Sequence, residues 1–181
     1  TAGIPLCLLL GKAPGTYQHS LQVANLAEQA AREIKGDSLL TRIGALYHDV
    51  GKTLNPAFFI ENQPTGKIDT HDDMDPVLSA ATIIQHVTDG IKLAKKYRLP
   101  PQIQAFILEH HGTTITRYQY NQAILDAGGE DFVERSLFQY PGPIPQSKET
   151  ALLMLADGSE ARMRSEMPET KESVLEIVDD S

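Results

Sequence analysis

An imidazole and a carboxylate on consecutive residues begin the run His48-Asp49-Val50-Gly51-Lys52. Neighbours in a helix point roughly 100° apart, so the two cannot share one helix face. At the fraying end of a helix, however, both can converge on one ion, and the carboxylate keeps a second oxygen for another. Four more histidines, His19, His86, His110 and His111, fall on other expected helices, and Asp157 directly follows the apolar run from Leu152 to Ala156. Together these residues form a nitrogen and oxygen ligand set large enough for two metal ions.

A single histidine on an apolar stripe is more often a satisfied core residue than a ligand. The set changes that judgement, because each imidazole or carboxylate buried without a partner carries a heavy desolvation cost. Asp157 is the clearest case: an unpaired carboxylate there would be strongly destabilising, and a neighbouring cation removes the penalty. His71 lies among Asp69, Asp72, Asp73 and Asp75, reads as a solvated loop residue, and is left out of the ligand set.

With no thiolate among them, these donors disfavour structural zinc and iron–sulfur sites. They suit iron or manganese, with zinc, cobalt or nickel also open. Two divalent ions sharing a carboxylate sit about 3.5–4 Å apart, the spacing used for in-line displacement at phosphorus. Such ions would hold a bridging hydroxide and neutralise the non-bridging phosphoryl oxygens. Lys52, one turn of chain past Asp49, is either a charge placed over the phosphate or a surface lysine.

The elements that must position these groups are helical. Residues 16–35 put Val23, Leu26, Ala27, Ala30 and Ile34 on one stripe, with His19 a turn ahead of Val23. Residues 38–50 form a second helix in which Leu39, Leu40, Ile43, Leu46 and Tyr47 are apolar and Leu40, Gly44 and His48 align. A polar connection over 51–75 follows, and loops of that length are often functional. Asp75-Pro76 starts a helix running to about Arg98, whose Lys92, Lys95, Lys96 and Arg98 suit a C-terminal end. Pro100-Pro101 open the next helix, which Gly112 ends. Residues 113–120 have strand-like composition, yet Asn121–Leu125 favours a helix over about 116–127. A rigid Tyr140–Pro145 connector precedes a helix near 147–165 and an acidic helix near 168–179. Tyr118, Tyr120 and Tyr140 are candidates to stack on a base or simply to pack. The fold expected is all-α, a compact helical bundle in one domain over residues 1–181, with 1–12 a linker or first helix.

The totals narrow the function. A formal net charge of −8 across 181 residues argues against binding nucleic-acid polymers. Eight acids against three bases over residues 157–181 account for −5 of it. An anionic substrate would therefore need local cations. One cysteine, Cys7, excludes an internal disulfide framework. The apolar run from Ile4 to Leu10 falls far short of a membrane span. A start at Thr1 suggests a soluble domain cut from a larger protein, tag removal being the other reading.

His19, His48-Asp49 and Asp157, with Gly51-Lys52, resemble the HD superfamily of metal-dependent phosphohydrolases. The blocks Ala13–Ser20, Phe59–Gln63, Glu109–Thr114, Tyr140–Pro143 and Pro145–Thr150 are similar to the cytosolic domain of the seven-transmembrane HD phosphodiesterases. That resemblance implies the HD helical bundle and hydrolysis of cyclic di-AMP to pApA. It also implies a chain anchored in a bacterial inner membrane through a region absent here. It further implies metal ligation by His19, His48, Asp49, His86, His110 and Asp157, with Asp49 bridging. His111 either ligates or reaches the phosphate. The related cyclic di-GMP enzymes follow their His-His pair with Gly-Tyr-Pro, where this chain has Gly112-Thr113-Thr114. Two alternatives stay open: an HD hydrolase for cyclic di-GMP or a nucleotide, and a catalytically silent nucleotide sensor.

Overall fold

The computed structural model of the chain describes residues 4–63, 74–166 and 170. Seven α-helices follow in order: α1 (Ile4–Lys12), α2 (Pro14–Glu33), α3 (Ser38–Tyr47), α4 (Pro76–Lys96), α5 (Pro101–Glu109), α6 (Arg117–Ala127) and α7 (Lys148–Glu166). Short 3₁₀ turns cover Val50–Leu54, Pro56–Phe58 and Ile60–Asn62 in the first long connection, and Glu130–Phe132 and Arg135–Phe138 in the second. This is the all-α bundle that periodicity predicts. The strand-like stretch before α6 supplies one isolated antiparallel bridge, Ile115 to Gln139. The expected helix near 168–179 and His71 lie outside the described residues.

Local chemistry sets the helix ends. Asp37 caps α3 by accepting from the Leu40 N–H at 2.9 Å, and Asp75 caps α4 by accepting from Leu78 at 3.0 Å. Pro14, Pro76 and Pro101 open their helices, where the missing N–H costs nothing. Gly128, at φ +78°, closes α6 in the left-handed region.

Two helices are rotated relative to the sequence expectation. On α2 the buried row is Thr16, His19, Ser20, Val23, Ala24, Ala27 and Ala31, while Leu26 and Ile34 are exposed. On α3, Leu39 and Ile43 face outward and Thr41, Gly44, Ala45 and Tyr47 are buried. Both helices are packed through their small residues, which lets α2, α3 and α7 approach closely. Val23, Leu40 and Leu46 still pack on the core, but Leu26, Ile34, Leu39 and Ile43, which also mark the apolar side in the sequence, are exposed. The second helix also ends at Tyr47 and not near residue 50; the chain tightens into the 3₁₀ turn at Val50.

The core divides around the site. One cluster (Leu9, Tyr47, Val50, Leu93, Ile103, Ile107) joins α1, α3, α4 and α5. A second (Val23, Ala24, Ala45, Phe106, Leu153) joins α2, α3, α5 and α7. Phe106 is 1% exposed, and burying such a side chain contributes about 1.5–3 kcal/mol.

Candidate metal centre

Five helices each deliver part of the site. α2 carries His19, α4 carries His86 and α7 carries Asp157. His48 and His110 are the C-cap residues of α3 and α5, so Asp49 and His111 leave the helices just beyond them. A Cβ at Gly51 would lie 1.9 Å from the His86 carbonyl oxygen. Only glycine lets the turn after Asp49 rest against α4, and that contact brings Asp49 beside His86.

The two oxygens of Asp49 face different partners. Oδ2 lies 3.2 Å from His48 Nε2, 3.7 Å from His19 Nε2 and 2.8 Å from Lys52 Nζ. Oδ1 lies 3.3 Å from His86 Nε2 and 3.7 Å from His110 Nε2. Asp157 Oδ1 completes the first side at 2.9 Å from His19 Nε2 and 3.6 Å from His48 Nε2. His111 Nδ1 stands 4.0 Å from Asp157 Oδ2. Two triads that share no residue can each gather around a common point, His19, His48 and Asp157, and His86, His110 and His111, and a third, His48, Asp49 and His110, overlaps both. The seven ligand candidates read from the sequence are thus brought together, and Asp49 lies between the two groups.

Backbone and carboxylate acceptors orient the rings. The Nδ1 atoms of His48, His86 and His110 meet the carbonyls of Ala45, Ile83 and Ile107 at 2.6, 2.6 and 2.9 Å. Each Nδ1 therefore donates, and in a neutral ring Nε2 becomes the lone-pair nitrogen aimed inward. His19 Nδ1 donates to Glu160 Oε2 at 2.6 Å instead.

That arrangement fits divalent cations. His48 Nε2 and Asp49 Oδ1 are buried with no hydrogen-bond partner. The inward nitrogens of His86 and His110 are 3.1 Å apart, lone pair against lone pair when both rings are neutral. Cations held among these groups would give each of the four atoms a partner.

Electrostatics separate the two sides. Burial opposes charge on His48, but Asp49 and Asp157 outweigh it and push its pKa up to about 10. His19 is raised as well, burial being outweighed by its bonds to Asp157 and Glu160. Asp49 and Asp157 lie well below the usual carboxylate range, because the surrounding imidazoles, and Lys52 for Asp49, override burial. On the other side, burial and neighbouring imidazoles lower His110 well below its usual value and His111 to about 3. One half attracts positive charge, and the other disfavours it on His110 and His111, whose neutral rings are the form that ligates a metal.

Lys52 is not a surface lysine. Its side chain is 14% exposed and bridges Asp49 to Glu61, with Nζ 3.0 Å from Glu61 Oε1. Of the tyrosines considered for stacking, Tyr120 packs on Phe138 and donates to Glu130 at 2.9 Å. Tyr140 is the one at the site, its ring stacked on His111 at 4.1 Å between centroids.

Sequence reasoning missed Glu160, Glu61 and Glu109. Glu160 lies three residues after Asp157 on the same face of α7, a spacing that was available as a signal. Glu109 accepts from the Gln146 N–H at 2.8 Å and the Thr150 hydroxyl at 2.7 Å. It thereby ties the segment before α7 to the residue preceding His110, and no local pattern announces that.

A family model described as HD domain matches residues 16–162. The chain belongs to the HD domain family. Cyclic-di-AMP phosphodiesterase PgpH of Listeria monocytogenes is 43% identical over 171 residues, covering 94% of this chain and 23% of that protein. An uncharacterised protein of Synechocystis sp. is 46% identical over 178 residues, covering 96% of this chain and 22% of that protein. The chain thus spans under a quarter of the length of these relatives. A crystal structure of the L. monocytogenes PgpH HD domain in complex with cyclic-di-AMP superposes with a TM-score of 0.90 at 42% identity, covering 98% of this chain and 80% of that one.

Proposed function

We propose that this HD domain is a metal-dependent phosphodiesterase that hydrolyses cyclic di-AMP to pApA. The observation that carries the reading is the convergence of five imidazoles and two carboxylates with partnerless His48 Nε2 and Asp49 Oδ1 at its heart. The likeness to PgpH, including its HD domain bound to cyclic-di-AMP, supports the substrate.

His19, His48 and Asp157 would hold one ion, and His86, His110 and His111 a second, with Asp49 offering one oxygen to each. This assigns His111 to ligation. The nitrogen and oxygen donors suit iron or manganese. When bound, such ions neutralise phosphoryl charge and make water a nucleophile at neutral pH. The chain's own residues do the rest. Glu160 orients the His19 ring, and the carbonyls of Ala45, Ile83 and Ile107 orient three others. Lys52 adds a fixed positive charge at the edge of the centre. Tyr140 stacks on His111 and holds its ring. In the overall change, one P–O3′ bond is exchanged for a P–O bond from water, and the 3′ oxygen leaves with a proton.

Among the described residues no helix is long and apolar enough to cross a membrane. Anchoring of the whole protein to a bacterial inner membrane, through a region outside this chain, is part of the proposal. It rests on the resemblance to seven-transmembrane HD phosphodiesterases and on the small share of its relatives that the chain spans. The test is elemental analysis of the purified protein together with chromatographic product analysis on cyclic di-AMP, cyclic di-GMP and AMP. Conversion of cyclic di-AMP to pApA is expected. A preference for cyclic di-GMP or for the mononucleotide overturns the substrate, and tight binding without product indicates a sensor.

A further inference from the structure

Two of the sequence blocks, Ala13–Ser20 and Phe59–Gln63, contribute only His19 to the ligand set, yet they meet beside it. A Cβ at Gly15 would lie 1.8 Å from the Glu61 carbonyl oxygen, so the 3₁₀ turn over Ile60–Asn62 lies directly on the first turn of α2. Asn62 Oδ1 accepts from the Thr16 N–H at 3.1 Å, one of the free donors at the helix start. Asn62 Nδ2 donates to the Thr16 hydroxyl at 2.8 Å, and that hydroxyl donates to Glu61 Oε1 at 2.9 Å. Thr16 is fully buried and lies three residues before His19, on the same helix face.

The chain of contacts ends at Lys52. Glu61 Oε1 accepts from Nζ at 3.0 Å while Asp49 Oδ2 accepts from the same ammonium at 2.8 Å. The Phe59 ring lies beneath it, with Nζ 5.0 Å from the centroid. A lysine carries its charge on a flexible four-carbon stem. Lys52 shares Asp49 Oδ2 with the imidazoles of His19 and His48, and Asp49 alone would leave the stem free to swing about that one contact. A second carboxylate, its side chain 7% exposed, holds the ammonium from the other side and fixes it. Of three ammonium protons, two are committed and one remains.

We propose that Glu61 is a positioning residue for Lys52, holding the ammonium at the edge of the centre with one N–H directed to a non-bridging oxygen of the phosphodiester. Asn62 orients the Thr16 hydroxyl and Thr16 locks the Glu61 carboxylate, so the two blocks form one device that sets the substrate-facing charge. This rests on the phosphodiesterase reading and adds to it a residue outside the metal-holding set.

The test is a double-mutant cycle on the Mn²⁺-loaded chain with Glu61→Gln and Lys52→Met, read as kcat/KM on cyclic di-AMP and separately as affinity for inorganic phosphate by calorimetry. Glu61→Gln keeps shape and removes charge. It is expected to lower kcat/KM between about tenfold and a hundredfold and to weaken phosphate binding, with manganese content unchanged. In the Lys52→Met background it should change neither quantity further. Equal effects in both backgrounds, or phosphate affinity unchanged by Glu61→Gln, overturn the proposal. If Glu61→Gln does not fold, Thr16→Val, which removes one donor to Glu61 and no charge, should give a smaller loss that disappears without Lys52. A chain that hydrolyses no phosphodiester refutes the proposed activity alone, and the phosphate affinities still decide the role of Glu61.

Discussion

His19 and Glu160 are 141 positions apart and meet through Nδ1 and Oε2 at 2.6 Å, with both side chains under a tenth exposed. The carboxylate fixes the ring so that Nε2 faces Asp157 and Asp49, and it raises the basicity of that nitrogen. Replacing Glu160 by Gln is expected to weaken divalent-metal affinity by about 10–100-fold while the fold stays intact. Calorimetric titration with Mn²⁺ measures this; an affinity equal to wild type would show that the His19–Glu160 contact does not tune the ligand.

Asp49 offers one oxygen to each half of the centre, so its loss removes the link between them. The Asp49→Ala variant should show no measurable turnover of cyclic di-AMP and less than the wild-type metal content. Product chromatography and elemental analysis on the same sample check both. Hydrolysis at the wild-type rate would rule out the shared carboxylate.

Gly51 is a steric requirement, since a Cβ there would stand 1.9 Å from the backbone oxygen of His86. Relieving the overlap must move the turn away from α4 and take Asp49 with it. Gly51→Ala should destabilise the fold by about 2–4 kcal/mol. Urea denaturation of the two proteins side by side gives the difference, and an unshifted midpoint would contradict the packing described.

Protons and cations compete for the same positions. Burial disfavours the charged form of His48, but Asp49 and Asp157 prevail and raise its pKa to about 10. The metal-free protein near neutral pH therefore carries a proton there. Because the folded pKa is raised, the stabilisation is complete below the unfolded value of about 6.5 and fades as pH climbs through the folded value. Mn²⁺ binding near neutral pH should accordingly release protons and tighten as pH rises. Titrations in two buffers of different ionisation enthalpy read the release directly. Identical apparent enthalpies in both would mean that no proton leaves.

Much of the site was legible because its residues break local patterns. Asp157 follows an apolar run, His48 and Asp49 adjoin at a helix end, and Gly44 and Gly90 mark close approaches near histidines. A Cβ on Gly44 would fall 2.3 Å from the Phe106 ring, and one on Gly90 would fall 2.7 Å from Ile107. Glu61 and Glu109 gave no such signal. A glutamate in a polar loop or at a helix end reads as solvated until the helix that buries it is in place.

The amino-acid order alone determined the helical class, the Asp75-Pro76 start of α4, and a donor set of imidazoles and carboxylates, since all of these depend on neighbours within a few residues. The tertiary structure decided which side of α2 and α3 is buried, which oxygen of Asp49 meets which ring, and that Lys52 is shared between two carboxylates. Those outcomes follow from how helices cross and how closely small residues let them approach. Such distances join residues far apart in the chain, and hydrophobic periodicity along one helix carries no record of them.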